Sequence, residues 1–382
     1  ADASPGDGGD GGSSGCPAPA AGGSPTPVTV DPATTPRFAA GGDEGSTYGV
    51  FDPSLVWPTG SVAGFVSYTS LEASGLLTRI AATGDGTSFG YVADANKDTD
   101  VSVATTDSSV CGAATCNGLL VHETSSLVYD GNDSDASRRF KLFDYSYVIV
   151  PGAQPPAQHT WGYIGLYTAQ APGNGWSAGA KAVGWSSSAD AVSSQGAATV
   201  LSTVAELQDC AAFTEPAALV DAASGALYLA LGCATGASSR VVLLKSGDHA
   251  ATFTYAGLLL SAADGTSLGS TQPGVMPTDF FQDGGATYLI VSTLGTTPTV
   301  QYAPSGYTSC TTVLVDDLAT AKVHRDAGGA PVIVRKLVAP GGAFAGACAF
   351  KPQFAAGYLV PEVIASSPAM PDVVLRSGIT CP

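Results

Sequence analysis

Four acidic residues stand at comparable places along the chain. Asp52 opens Asp52-Pro53-Ser54-Leu55-Val56, and Glu123 opens Glu123-Thr124-Ser125-Ser126-Leu127-Val128. Glu215 opens Glu215-Pro216-Ala217-Ala218-Leu219, and Asp279 lies in Pro277-Thr278-Asp279-Phe280-Phe281. Each is followed by a run fit for a buried strand. Carboxylates gathered in one apolar hollow repel, and their pKa values separate, so that one stays protonated while another is ionised. A proton donor beside an ionised carboxylate is what cleavage of a glycosidic bond requires. One group protonates the leaving oxygen; the other activates water or attacks the anomeric carbon.

Acids this far apart meet only if the fold brings the starts of successive units to one axis. Short β-branched and aromatic runs alternate with Gly, Asp, Ser and Pro turns, and the chain holds 48 Gly and 25 Pro, the signature of an all-β fold. The spacing predicts one helix, around Thr199 to Ala211. The runs repeat in register. Phe65-Val66-Ser67-Tyr68 stands as far from Asp52 as Tyr228-Leu229-Ala230-Leu231 does from Glu215. Further on, Arg79-Ile80-Ala81-Ala82 matches Val241-Val242-Leu243-Leu244, and Phe89 matches Phe253. Looser units start at Glu123, at Pro277-Thr278-Asp279 and near Gly346-Ala347-Cys348. Five units of about four strands predict a five-bladed β-propeller, in which radial repetition leaves no long open edge. A pair of β-sandwiches is the alternative.

Composition narrows the partners. With 15 Lys plus Arg against 32 Asp plus Glu, the net charge is −17, which argues against a nucleic-acid surface or docking on anionic lipid. No apolar run is long enough for a membrane-spanning helix. Residues 1–30 read as a disordered Gly/Ser/Pro tether, and residues 31–382 as one propeller domain. The eight Cys fit an oxidising compartment, and none forms a C-x2-C pair that would point to zinc. Spacing does not fix their connectivity; the expected pairs are Cys111–Cys116, Cys210–Cys233, Cys310–Cys348 and Cys16–Cys381.

The segments Phe51-Asp52-Pro53-Ser54-Leu55 and Thr214-Glu215-Pro216-Ala217 resemble the blade starts of the five-bladed propeller glycosidases of glycoside hydrolase family 43, 32 and 62 type. These enzymes act on arabinans, xylans and fructans. The resemblance covers roughly residues 45 to 376. It implies that Asp52 is the base or nucleophile, that Glu215 is the general acid, and that Glu123 tunes the acid and orients the substrate. The family has Asp where Glu123 stands. The Arg-Asp-Pro triplet of the fructan-cleaving branch is absent, since the chain reads His122-Glu123-Thr124.

Around these acids, Trp57 and Trp161 are expected to stack on sugar, with Arg79, His159 and Asp279 as further substrate-binding residues. No cofactor is expected for the reaction, and no catalytic metal. Asp94-Ala95-Asn96-Lys97-Asp98 and Asp130-Gly131-Asn132-Asp133-Ser134-Asp135 have spacings that fit a structural calcium ion. Ser246-Gly247-Asp248-His249-Ala250-Ala251-Thr252-Phe253 resembles the sialidase Asp-box, with Thr83-Gly84-Asp85-Gly86-Thr87-Ser88-Phe89 as a degenerate cousin. That motif is a turn on propeller edges. The expectation is therefore a secreted or cell-surface, monomeric glycoside hydrolase acting on an arabinan- or xylan-like polysaccharide or oligosaccharide. The alternatives are a non-catalytic carbohydrate- or protein-binding propeller and a sialidase-like exo-glycosidase.

Overall fold

The computed structural model describes residues 27–29, 38–43, 45–46, 49–72, 75–104, 111–150, 162–185, 196–295, 306–338, 347–366 and 371–379. Residues 1–26, Cys16, Cys381, His159 and Trp161 lie outside them. No helix among the described residues is long and apolar enough to cross a membrane.

The fold is all-β and propeller-like, but the described strands form four sheets, not the five expected. Blade one runs outward from Gly49–Val56 through Gly64–Leu71 and Leu76–Thr83 to Phe89–Asp94. Blade two runs from Thr115–Tyr129 through Phe140–Ile149 and Tyr163–Ala169 to Ala180–Gly184. Blade three runs from Ala212–Val220 through Leu227–Ala234 and Ser239–Ser246 to Thr254–Leu260. Blade four runs from Val275–Asp283 through Ala286–Gly295 and Gly306–Asp317 to Ile333–Val338.

The fifth unit supplies only two strands, Tyr358–Ser366 and Pro371–Ile379. A lone hairpin is marginal in water. It joins the inner edge of blade one instead, through a parallel pairing of Val373 with Gly49. Cys348 and Phe350 open no strand; Ala349 makes one isolated bridge to Leu359.

The core lies between adjacent sheets. Ile80 and Leu127 are in the cluster joining blades one and two, Tyr145 and Phe213 in that joining two and three, and Leu243 and Phe280 in that joining three and four. Phe350 packs with Phe281 of blade four, and Leu359 with Leu55 of blade one, so the C-terminal segment closes the ring. Neighbouring inner strands are also pinned by a repeated serine contact. Leu127 N–H donates to Ser54 Oγ at 3.0 Å, and Ala218 N–H donates to Ser126 Oγ at 2.8 Å.

Three expected disulfides are present: Cys111–Cys116, Cys210–Cys233 and Cys310–Cys348. Pro27–Thr29, which falls within the stretch expected to be tether, pairs in parallel with the outer strand of blade four. The helix expected at Thr199–Ala211 is a two-residue strand and two 3-10 turns, Leu201–Thr203 and Ala205–Leu207. Thr199, Val200, Thr203 and Val204 are β-branched and disfavour an α-helix. The one α-helix among the described residues is Ala262–Leu268, closed by a Ser261/Asp264 capping box and by Gly269 at φ 107°. Both Asp-box segments are turns closed on their Asp, the second one residue longer: Asp85 Oδ1 accepts Thr87 and Ser88 N–H, and Asp248 Oδ1 accepts Thr252 N–H.

Candidate active site

Each inner strand breaks register at one place. In blade one the shift lies between Phe51 and Ser54, in blade two between Glu123 and Ser126, in blade three between Thr214 and Ala217. At these three bulges one non-glycine residue is left-handed, Asp52 at φ 49°, Thr124 at φ 50° and Glu215 at φ 53°, whereas the shift between Pro277 and Asp279 in blade four has none. Such a conformation costs roughly 1–2 kcal/mol per residue, and the bulge re-aims the side chain out of the pleat. Pro53 and Pro216 follow the strained acids, and a bulge is where a strand tolerates a residue with no N–H. The structural counterpart of Asp52 and Glu215 in blade two is therefore Thr124. Glu123 stands one residue earlier, which corrects the alignment made on the acids alone.

The three acids nevertheless come within reach of one another: the Asp52 charge raises both Glu123 and Glu215, and the Glu123 charge raises Glu215. Asp52 is buried, at 1% exposed, and Glu215 is 9% exposed. Asp52 Oδ1 accepts the Ala347 N–H at 2.7 Å, while Thr69 Oγ1 lies 3.5 Å from Oδ2. Burial pushes Asp52 up to about 7, against the pull of the Ala347 and Thr124 N–H groups and the Thr69 hydroxyl. Burial and then the Asp52 charge push Glu123 up to about 8, opposed by the Tyr147 hydroxyl. Glu215 is held well above the carboxylate range by burial and then by the Asp52 charge. Tyr307 donates to Glu215 Oε1 at 2.7 Å, while Oε2 is buried without a hydrogen-bond partner among the described residues.

These surroundings decide where a single negative charge rests. A carboxylate that accepts backbone N–H groups is the better anion. Asp52 has them; Glu215 has one phenol on one oxygen. The cluster therefore ionises first at Asp52 and holds its proton longest at Glu215.

Sequence reasoning missed the tyrosines. Tyr145 pairs directly opposite Glu123, and Tyr147 shares its face two residues on, their rings 4.8 Å apart. That signal was readable as Tyr145-Ser146-Tyr147 in register with the acid. Tyr307 carried no such signal, because only the fold brings it to Glu215.

Other expected site residues lie elsewhere. Trp57 sits five residues past Asp52, about 16 Å along an extended strand. Its ring meets Phe354 edge-on, and its N–H donates to Ser61 O at 3.1 Å, so it is packing rather than a sugar platform. Arg79 pairs with Asp43, Glu72 and Asp94 within and beside blade one and with none of the three acids. Asp279 is 1% exposed; Oδ1 accepts Lys351 Nζ at 2.7 Å and Phe280 N–H at 2.9 Å, and Oδ2 accepts Phe350 N–H at 3.2 Å. It joins blade four to the C-terminal segment instead of binding substrate.

The calcium spacings do not match the donor set found. Asp130, Asp133 and His249 converge, but the buried Lys141 ammonium stands 2.6 Å from Asp133 Oδ2 and 3.6 Å from Asp130 Oδ2. Calcium takes six to eight oxygens, and here a lysine supplies the positive charge. In the other stretch, Asp94 accepts Arg79 Nε and Tyr91 OH, and Asn96 bridges Thr78 N–H and Asp144.

No protein-family model matches the chain, and no curated protein does. Solved structures similar to it include a thermostable family-43 glycoside hydrolase at 11% identity, covering 90% of this chain and 91% of that one, with a TM-score of 0.46. The arabinanase of Bacillus subtilis is similar at 13% identity, over 86% of this chain and 93% of that one, with a TM-score of 0.46. A family 117 glycoside hydrolase of Zobellia galactanivorans is similar at 12% identity, over 91% and 90%, with a TM-score of 0.48.

Proposed function

We propose that this protein is a glycoside hydrolase. Asp52 acts as base toward water or as nucleophile toward the anomeric carbon, and Glu215 protonates the leaving oxygen. Glu123 raises the pKa of Glu215 through its proximity. The observation that carries this reading is that Asp52 and Glu215, both buried, and half-buried Glu123 come from three blades to within reach of the Asp52 charge, and only Asp52 accepts backbone N–H groups. Tyr307 positions the acid by holding Oε1, which leaves Oε2 for the glycosidic oxygen.

The substrate class that fits this reading is an arabinan- or xylan-like polysaccharide, cleaved outside the cell by a monomer. Three disulfides accord with an oxidising compartment. One observation favours a second reading, a glycan-binding propeller without turnover: Asp52 is only 1% exposed.

Product release from aryl glycosides, arabinan and xylan, with Asp52→Asn and Glu215→Gln as controls, separates the two. A hydrolase releases sugar only with both acids intact. A binding protein holds sugar, releases none, and keeps its affinity in both variants.

A further inference from the structure

Thr124 holds in blade two the place that Asp52 and Glu215 hold in their own blades, and a second relationship besides the bulge fixes that correspondence. Ser54, two residues past Asp52, accepts the N–H of Leu127, three residues past Thr124. Ser126, two residues past Thr124, accepts the N–H of Ala218, three residues past Glu215. The same offset at both junctions sets the three bulges at one level. Across blades one to three, the side chains at that level are a carboxyl, a hydroxyl and a carboxyl.

In the run Thr124-Ser125-Ser126, only the Thr124 hydroxyl has no structural task. Ser125 Oγ donates to Ser67 Oγ at 2.9 Å, and Ser126 Oγ is taken by Ala218. Thr124 is only 6% exposed, and its Oγ1 is buried without a hydrogen-bond partner among the described residues. The hydroxyls of Thr78 and Ser292 share that condition, but both stand off the inner strands. A buried hydroxyl without a partner has lost its bonds to water and gained none. Thr124 also bears a conformational cost, since a β-branched residue at φ 50° is an outlier. Such outliers cluster where a ligand is held.

The backbone of Thr124 places that hydroxyl beside the base. Its N–H donates to Thr69 Oγ1 at 3.1 Å and also reaches the Asp52 carboxylate, and Thr69 Oγ1 lies 3.5 Å from Asp52 Oδ2. The other orphaned oxygen on these bulges is Glu215 Oε2. An alcohol both donates and accepts, as a sugar hydroxyl does, and it adds no charge beside three acids. A sugar whose anomeric carbon faces Asp52 carries its 2-hydroxyl on the adjoining carbon. Hydrogen bonds to that group strengthen as the oxocarbenium-like transition state forms.

We infer that Thr124 Oγ1 binds the 2-hydroxyl of the sugar whose anomeric carbon faces Asp52, and so selects glycosides that carry one. This assignment rests on the hydrolase reading, which puts the anomeric carbon there.

The test compares 4-nitrophenyl α-L-arabinofuranoside and 4-nitrophenyl β-D-xylopyranoside with their 2-deoxy counterparts, on the full chain and on its Thr124→Val variant. Valine keeps the shape and removes the hydroxyl. On whichever parent glycoside is cleaved, Thr124→Val is expected to lower kcat/KM about tenfold, while on the 2-deoxy counterpart the two proteins agree within about twofold. Each comparison is made on one substrate, so the intrinsic lability of 2-deoxy glycosides cancels. Thr124→Ser is expected to keep the parent rate within about threefold of wild type. The Tm of Thr124→Val is expected to equal or exceed that of wild type, because the folded chain loses no hydrogen bond. Cleavage with equal loss on both substrates, with no loss, or with a lowered Tm in the valine variant overturns the inference and leaves the hydrolase reading standing. Where the variant does not fold, or no parent is cleaved, calorimetric titration of the wild-type chain with the methyl glycosides reads the same contact. The 2-deoxy sugar is then expected to bind about tenfold more weakly, and equal affinity overturns the inference. Such discrimination without cleavage keeps the contact and removes the hydrolase reading. A chain that neither binds nor cleaves these sugars overturns both.

Discussion

The N–H of Ala347 donates to Asp52 Oδ1 at 2.7 Å, across a sequence separation of 295 residues. One hydrogen bond thus fastens the C-terminal segment to the strained bulge of blade one and stabilises the anion assigned as the base. Closure of the ring and preparation of that carboxylate are one structural fact.

Cys348 follows Ala347 and is tied to Cys310 of blade four. Replacing both cysteines with Ser releases the segment that supplies this N–H. The N–H lowers the Asp52 pKa, so its loss raises that pKa further above about 7. The acidic limb of kcat/KM is expected to move to higher pH, with stability reduced by about 2–5 kcal/mol. A pH–rate series on both proteins measures the first, and urea unfolding the second.

Tyr307→Phe removes the donor on Glu215 Oε1. That hydrogen bond lowers the Glu215 pKa, so the variant's acid deprotonates at still higher pH. The alkaline limb of kcat moves up, while kcat at its optimum falls by about tenfold through poorer placement of the acid. Unchanged limbs would separate Tyr307 from the acid.

The raised carboxylates set the sign of the stability profile. In the unfolded chain they ionise near pH 4. In the folded chain Asp52 and Glu123 keep their protons to about 7 and 8. Between these limits the folded state binds more protons, so stability falls as pH rises from about 4 to about 8. Glu123→Gln cannot ionise and is expected to raise Tm at pH 8 by roughly 1–2 °C per kcal/mol recovered, with no gain at pH 4. Scanning calorimetry at the two pH values measures it.

In the Asp279–Lys351 pair at the blade-four junction the carboxylate is buried and the ammonium half-buried. Lys351→Met alone strands the carboxylate and is expected to cost about 3–5 kcal/mol, whereas Lys351→Met with Asp279→Leu recovers much of the loss. A double-mutant cycle in urea reads the difference.

The parts legible in the sequence are those written locally. Asp52-Pro53 and Glu215-Pro216 stand in register because both are bulges, and a proline marks each. Thr124-Ser125 is the same bulge without proline, so an alignment on acids slid to Glu123. The Ser261-Ala262-Ala263-Asp264 cap and Gly269 were written just as locally, and they mark the one α-helix that the strand pattern obscured. What was not legible depends on contacts between distant segments. The hairpin at Tyr358–Ile379 repeats like a blade in sequence yet joins another sheet, because two strands do not stand alone. Lys141 beside Asp133, Lys351 on Asp279 and Tyr307 on Glu215 are pairings across turns or blades, with no periodicity to announce them.

The division of labour between Asp52 and Glu215 is tested most directly by varying the leaving group. An activated dinitrophenyl glycoside needs no proton from the enzyme; an alkyl glycoside or the polysaccharide does. The account predicts that Glu215→Gln keeps the dinitrophenyl rate within about tenfold while losing on the order of 10²–10⁴ on the unactivated substrate, and that Asp52→Asn fails on both. Equal losses of both variants on both substrates, or full activity in Asp52→Asn, would contradict it.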